Sequence, residues 1–309
     1  MILLFLLYLA CGVFAADVVD PKDCTAFPCM IFSDDFDYLD HDAWEHEITM
    51  SGGGNWEFEV YVNNRSVSYT RNSTLFIKPG LTSEWKSEEF LTSGDLNLWG
   101  MNGRGDVCTG NSYYGCNRVG TATNIVNPVT SARLRTLSDF AFSGEIDIVE
   151  SRGNSDYGTL GNQYGSTTLH WGPYWQLNMY QKTHTKYQAP TGSYADNFHT
   201  WRMDWTKDDM KFYVDDELKL TVDPFTNFWD FGGFGDSYDN PWAAGGKMAP
   251  FDQKFYIVLN LAVGGTNGFF PDDHSSWLPT WEQGEGRISE KAALQVDYVK
   301  VWKMENIDQ

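Results

Sequence analysis

Hydrophobic and polar residues alternate over short stretches of this chain, and a period of two is typical of half-buried β-strands. Residues 200–205 (TWRMDW) alternate in this way, and residues 254–263 (KFYIVLNLAV) and 294–302 (LQVDYVKVW) are largely apolar. The clearest element is a hairpin, because residues 210–214 and 217–222 both alternate around Asp215-Asp216. This pattern predicts two strands joined by a two-residue turn.

Helical periodicity is weak, since no segment keeps a 3.6-residue apolar period for three turns between good caps. Many short strands divided by Gly, Asn and Asp turns predict an all-β chain, an antiparallel two-sheet sandwich. The sequence contains no repeat, low-complexity tract or linker, which predicts a single domain over residues 16–309.

The first residues follow a different pattern. Residues 2–15 are an uncharged apolar run, too short to cross a bilayer of ~30 Å as a helix. The run ends in Val13-Phe14-Ala15, a small-x-small cleavage pattern. It predicts a signal peptide over residues 1–15 and a secreted, extracellular protein.

Cysteine usage agrees with export. Cys24, Cys29, Cys108 and Cys116 remain after the predicted signal peptide, and four cysteines allow three pairings. The local pairs Cys24–Cys29 and Cys108–Cys116 are the simplest. A zinc site is the alternative, although it would usually show CxxC spacing or clustered histidines.

The charge balance limits the partners. The chain carries 22 basic and 42 acidic residues, a formal net charge of −20. Such a surface repels phosphate backbones and anionic lipids, so we expect no nucleic-acid partner and no membrane partner. The aromatic content of 16% is too high for a disordered chain. These properties favour a folded protein with a neutral substrate.

Three acidic residues dominate residues 143–151 (SGEIDIVES). In a strand, Glu145 and Asp147 share one face, while Ile146 and Ile148 face the core. Strict alternation would place Glu150 on the apolar side, but a bulge at Ile148-Val149 would return it to the face of the other two. We call Glu145, Asp147 and Glu150 the carboxylate ladder.

Two carboxylates that flank a sugar can cleave a glycosidic bond, one as nucleophile and one as acid. Repulsion from Asp147 between them would help to keep one carboxyl protonated. One alternative is an ordinary solvated strand face, although adjacent like charges cost stability there. A calcium site is another, but calcium usually also takes loop and backbone carbonyl oxygens.

The ladder sequence resembles the E-x-D-x-x-E signature of family 16 glycoside hydrolases of the laminarinase type, which cleave β-1,3-glucans. Further similar stretches are residues 55–65 (NWEFEVYVNNR), 108–118 (CTGNSYYGCNR), 127–136 (NPVTSARLRT), 168–175 (TLHWGPYW), 198–205 (FHTWRMDW), 248–265 (MAPFDQKFYIVLNLAVGG) and 293–302 (ALQVDYVKVW). The resemblance implies a curved β-jelly roll with a concave sugar-binding cleft. It also implies a secreted, retaining endo-1,3-β-glucanase that acts on laminarin-like polysaccharides or oligosaccharides by double displacement, as a monomer that requires no cofactor.

The resemblance also assigns roles to single residues. It implies Glu145 as nucleophile, Asp147 as assistant and Glu150 as general acid/base. The implied substrate-binding residues are His170, which resembles the family's histidine beside the acid/base, and the stacking residues Trp171 and Trp242. Asp35 and Asp297 match positions where the family holds a structural calcium ion.

The chain is shorter than the family pattern. In the family, further strands separate the segment that resembles residues 127–136 from the catalytic strand. In this chain only residues 137–142 (LSDFAF) lie between Thr136 and Ser143. One or two strands are therefore expected to be missing, together with aromatic residues of the cleft. The alternatives to an enzyme are a glucan-binding recognition protein without turnover, which typically lacks one or both catalytic glutamates, and a shortened variant that folds poorly.

Overall fold

The computed structural model describes residues 15–51, 55–100, 107–137, 144–154, 161–265 and 290–305. The chain is mostly β, with 34% strand and 12% helix. The strands are β1 (Asp17–Val18), β2 (Cys29–Asp34), β3 (Trp44–His46), β4 (Glu59–Tyr61), β5 (Ser68–Thr70), β6 (Leu75–Ile77), β7 (Gly80–Leu81), β8 (Asp95–Asn97), β9 (Asn117–Val119), β10 (Val129–Ser131), β11 (Arg133–Thr136), β12 (Glu145–Ser151), β13 (Tyr164–His170), β14 (His184–Gln188), β15 (Trp201–Trp205), β16 (Met210–Val214), β17 (Glu217–Val222), β18 (Val258–Asn260), β19 (Leu294–Val296) and β20 (Val299–Lys303).

Helices are short, as the weak helical periodicity predicts. The α-helices are α1 (Thr82–Trp85), α2 (Glu88–Ser93) and α3 (Phe228–Gly232). Single 3₁₀ turns lie at Pro21–Asp23, Ser112–Tyr114, Trp175–Leu177, Tyr180–Lys182 and Glu290–Ala292. Among the described residues, no helix has the length and apolar character needed to cross a membrane. The predicted signal peptide lies outside the described residues except for Ala15, and so does the shortened junction at residues 138–143.

The chain divides into two compact units. Unit 1 combines the chain up to Leu137 with the chain from Ile257 onward, and unit 2 is Ser138–Tyr256. Unit 1 contains the sheets β1-β2-β20, β4-β10-β7, β18-β11-β3, β19-β6-β5 and β8-β9, and unit 2 contains β12-β13-β14 and β15-β16-β17. The β4–β10 pair is parallel, and the other described strand pairs are antiparallel. The single domain over residues 16–309 stays a prediction.

The predicted hairpin is confirmed. Strands β16 and β17 pair in an antiparallel ladder from Met210↔Val222 to Val214↔Glu217. Asp215 and Asp216 have φ of +49° and +66°. Two central residues with positive φ define the turn whose twist matches that of the flanking strands, and Asp tolerates this conformation.

Each unit has its own apolar core. In unit 2, Leu169 of β13, Phe212 of β16, Phe228 of α3 and Phe251 are each at most 1% exposed. Ile146 and Ile148 of β12 pack against this core. One face of the β12-β13-β14 sheet therefore lies on the core and leaves the opposite face for polar side chains.

The disulfide prediction is confirmed, since Cys24 pairs with Cys29 and Cys108 with Cys116. Both bonds lie in unit 1. The Cys108–Cys116 loop is also held by the backbone N–H of Met50, which donates to the carbonyl of Gly115 at 2.7 Å.

Candidate active site

The carboxylate ladder lies on one face of β12, and the predicted bulge is confirmed. Glu145 pairs with His170 of β13 and Asp147 with Thr168, but the next pair is Glu150 with Ser166. From one pair to the next, the register moves by three residues along β12 but by only two along β13. The extra residue of β12 therefore lies within Ile148-Val149. The bulge returns Glu150 to the face of Glu145 and Asp147.

Alternation along β13 and β14 completes this polar face. Ser166, Thr168 and His170 of β13 lie opposite the three acids, whereas Leu169 between them is fully buried. On β14, His184 pairs with Thr168, and its Nδ1 lies 3.0 Å from the Thr168 hydroxyl. The sheet thus presents acids, hydroxyls and imidazoles together on one side.

His170 links the ladder to its neighbours. Its Nε2 lies 3.3 Å from Oδ2 of Asp147. Glu145, Asp147 and His170 each place one nitrogen or oxygen atom within 4.8 Å of the other two. An imidazole is not a ligand that calcium prefers, so this set does not favour the calcium alternative for the ladder.

Glu150 has the environment of a proton donor. Burial raises the pKa of its carboxyl above the usual value, and the nearby charge of Glu145 adds to the rise. A protonated His170, the Arg152 guanidinium and a hydrogen bond from Thr168 act in the opposite direction. The net effect is a raised pKa, which lengthens the pH range over which Glu150 keeps its proton.

Sequence reasoning missed Asn178, which follows the Trp175–Leu177 turn. Its side-chain oxygen accepts from the backbone N–H groups of Trp171 and Tyr180, at 3.3 and 3.2 Å. Its amide nitrogen lies 2.8 Å from Nδ1 of His170. No strand periodicity could reveal this contact, because Asn178 lies in a loop.

Comparison with known proteins identifies the family of the chain. The sequence model of glycosyl hydrolases family 16 matches residues 119–228. The chain is 64% identical over 356 residues to a β-1,3-glucan-binding protein of Penaeus monodon, with 97% of each chain covered. The chain belongs to glycoside hydrolase family 16.

Two further similarities help to define this family 16 chain. It is 27% identical over 298 residues to glucan endo-1,3-β-glucosidase A1 of Niallia circulans, with 89% of this chain but only 38% of that relative covered. The endo-β-1,3-glucanase of Pyrococcus furiosus superposes with a TM-score of 0.55 at 20% identity, covering 89% of this chain and 94% of that one. The structural likeness confirms the predicted fold, the laminarinase jelly roll.

The Penaeus monodon alignment also bears on the length of the chain. It extends over 356 residues, more than the 309 of this chain. The alignment therefore includes positions at which the relative has residues and this family 16 chain has none, in agreement with the internal shortening inferred from the sequence.

Trp171 requires a correction. Its indole is 3% exposed and stacks on Phe231 at 5.6 Å between ring centroids. Its Nε1 donates to Thr183 at 2.9 Å. Because it follows His170, it points to the core side of the sheet, so no sugar ring could lie against it. Trp242, the other predicted stacking residue, is partly buried and lies 6.0 Å from Trp229.

Exposed aromatic rings lie elsewhere in the same segment. Trp175 is 83% exposed and Tyr174 is 50% exposed. Tyr180 is 37% exposed, and its ring centroid lies 5.3 Å from that of His170. The sequence signal was the aromatic content of residues 171–180, but only the structure separates the exposed rings from the buried Trp171.

The two predicted calcium ligands lie in unit 1. Asp35 is exposed and forms an ion pair with Lys300 at 2.7 Å. Asp297 is exposed between β19 and β20. Within the described part of the chain, neither belongs to a group of three or more His, Cys, Asp or Glu residues close enough to share an ion. Structural calcium at these positions stays a prediction.

Proposed function

We propose that this family 16 chain binds β-1,3-glucan and hydrolyses it with retention of configuration. The observation that carries the proposal is the bulge in β12, which puts Glu145 and a partly buried Glu150 of raised pKa on one face. A nucleophile and a proton donor on the same strand face are the two groups that a retaining glycosidase needs.

In the first step, a carboxylate oxygen of Glu145 attacks the anomeric carbon. The bond from that carbon to the glycosidic oxygen breaks, and Glu150 transfers its proton to the leaving oxygen. The products of this step are a glycosyl ester on Glu145, an ionised Glu150 and a free glucan end.

In the second step, Glu150 acts as a base and removes a proton from water. The water oxygen attacks the anomeric carbon and displaces Glu145, so two inversions give net retention. Asp147, flanked by Glu145 and His170, supplies negative charge that stabilises the positive charge developing on the sugar.

Binding is supported by the charge and the exposed rings. A neutral glucan avoids the repulsion that a net charge of −20 exerts on anionic ligands. The flat CH faces of sugar rings stack on aromatic side chains, for which we favour Trp175 and Tyr174 over Trp171. The name of the Penaeus monodon relative, a β-1,3-glucan-binding protein, supports the same ligand.

A second candidate is glucan recognition without turnover. The name of the 64% identical relative and the residues that this chain lacks in that alignment favour it. The intact carboxylate ladder favours the enzyme. We further propose that the protein is a monomer and that it is secreted, and the two disulfides support secretion because such bonds persist in oxidising compartments.

The purified protein and its Glu145→Gln and Glu150→Ala variants distinguish the two candidates. We expect the wild type to release reducing ends from laminarin, and Glu145→Gln to lose about 1,000-fold or more in rate while it still binds laminarin. With azide, Glu150→Ala should yield a β-glycosyl azide. Binding without hydrolysis by the wild type would favour the recognition protein, and an α-configured azide product would exclude retention.

A further inference from the structure

We infer that Asn178 is a positioning residue that fixes which ring nitrogen of His170 carries the proton. Asn178 holds His170 as the neutral tautomer with its proton on Nε2, the nitrogen that faces Asp147. The consequence for catalysis rests on the proposed function, whereas the tautomer itself does not.

The orientation of the Asn178 amide follows from its backbone contacts. Two N–H groups, those of Trp171 and Tyr180, point at one end of the amide. Only the carbonyl oxygen can accept both, so the NH₂ group must be the end that lies 2.8 Å from Nδ1 of His170. Reversing the amide would set its NH₂ group against two N–H donors.

The chemistry of the pair then determines the tautomer. An amide NH₂ group donates hydrogen bonds and cannot accept them, so Nδ1 of His170 must accept and carries no proton. A neutral imidazole has one proton, which therefore resides on Nε2. That nitrogen is 3.3 Å from Oδ2 of Asp147. In this tautomer an N–H of the ring faces the negatively charged carboxylate, whereas in the other tautomer a nitrogen lone pair would face it.

The loop geometry holds Asn178 in this position. The backbone N–H of Met179 donates to the carbonyl of Trp171 at 2.8 Å and closes the loop. At Gly172, a Cβ atom would collide with the carbonyl oxygen of Leu177, so the close approach requires glycine. Asn178 is thereby tied to the residue that directly follows His170.

The surroundings of His170 give this contact its significance. Charged and titratable side chains surround His170, namely Glu145, Asp147 and Glu150 on β12 and His184 on β14. The ring of Tyr180 lies beside His170. A proton on Nδ1 would face the NH₂ group of Asn178 as donor against donor, so the hydrogen bond between them requires an unprotonated Nδ1. A charged His170 ring lowers the pKa of Glu150, whereas a neutral ring has no such effect.

The test is ¹⁵N NMR of the histidine rings in wild type, Asn178→Asp and Asn178→Ala, with the His170 signals assigned by their loss in His170→Gln. In wild type near pH 7 we expect a protonated Nε2 and an unprotonated Nδ1 on His170. In Asn178→Asp, a carboxylate replaces the donor, so Nδ1 should gain a proton. The matched control is Asn227→Ala, which removes the cap of α3 in the same unit and should leave the His170 signals unchanged.

Laminarin kinetics provide the second measurement. In Asn178→Asp we expect kcat to fall roughly 10- to 100-fold, with little change in KM, and its alkaline limb to move to lower pH. A proton on Nδ1 in wild type, or unchanged His170 signals in Asn178→Asp, would overturn the inference. If Asn178→Asp does not fold, the wild-type and Asn178→Ala spectra decide. Loss of the proposed function would appear separately, as absent hydrolysis in a wild type that shows the expected tautomer.

Discussion

Two acidic clusters of this molecule look alike in sequence and differ in surroundings. The carboxylate ladder of unit 2 contains Glu145 and Glu150, and unit 1 contains Glu57 and Glu59 within NWEFEVYVNNR. Burial raises the pKa of Glu150, and it raises the pKa of Glu59 further, well above the usual range. A raised pKa alone would therefore identify both clusters as candidate active sites.

The contacts separate them. Glu59 is 1% exposed, and its Oε2 accepts from the backbone N–H of Val263 at 2.7 Å. Its carboxyl also lies near that of Glu57, which accepts from the hydroxyl of the buried Tyr61 at 3.2 Å. Glu150, in contrast, shares its strand face with an exposed Glu145. The comparison shows that a raised pKa indicates a catalytic proton donor only where an accessible nucleophile lies beside the carboxyl group.

The largest expected effect is the difference in activity between a substitution in the carboxylate ladder and one in the Glu57–Glu59 pair. Glu150→Gln removes the proton donor and should reduce laminarin hydrolysis by about 100- to 10,000-fold. Glu59→Gln imitates a protonated glutamic acid in a sealed position, so we expect kcat/KM within about twofold of wild type. Reducing-end assays on both variants measure this. Equal losses would show that the Glu57–Glu59 pair also supports turnover.

The pH dependence of hydrolysis tests whether the raised pKa of Glu150 controls activity. The first step needs Glu150 protonated, so kcat/KM should fall as pH rises through its raised pKa, about tenfold per pH unit above it. Thr168→Val removes a hydrogen bond that lowers this pKa and should move the alkaline limb to higher pH. A limb at the position of an ordinary glutamic acid, near pH 4.3, would contradict the assignment.

The sequence predicted the elements whose signals are local. The hairpin at Asp215-Asp216, the two short-range disulfides and the bulge at Ile148-Val149 each depend on residues only a few positions apart. Trp171 was not predicted correctly, because the resemblance suggested a stacking residue and only the structure places its indole in the core.

Contacts through loops and between distant segments could not be predicted. Asn178 reaches His170 because Gly172 permits a close turn, and nothing in the spacing of the two residues indicates that contact. Glu59 meets Val263, which is 204 positions away in sequence. The periodicity of β4 shows only which face Glu59 is on, whereas its burial depends on a segment that is distant in sequence.

The smallest expected effect is on stability, and it concerns Glu59. Its pKa is raised on folding, so the unfolded chain loses the proton first as pH rises above about 4.3. Wild-type stability should therefore decrease from that pH upward, until the pKa of Glu59 in the folded protein is reached.

Glu59→Gln has no proton to lose, and its amide can accept from Val263 and donate to Glu57. We expect the melting temperature of Glu59→Gln, relative to that of wild type, to rise by about 2–4 °C from pH 4 to pH 8, which corresponds to ~1 kcal/mol in the free energy of unfolding. Thermal melts of both proteins across this range measure the difference. A difference that does not change with pH would mean that Glu59 is ionised in the folded protein, and the contrast with Glu150 would then rest on exposure alone.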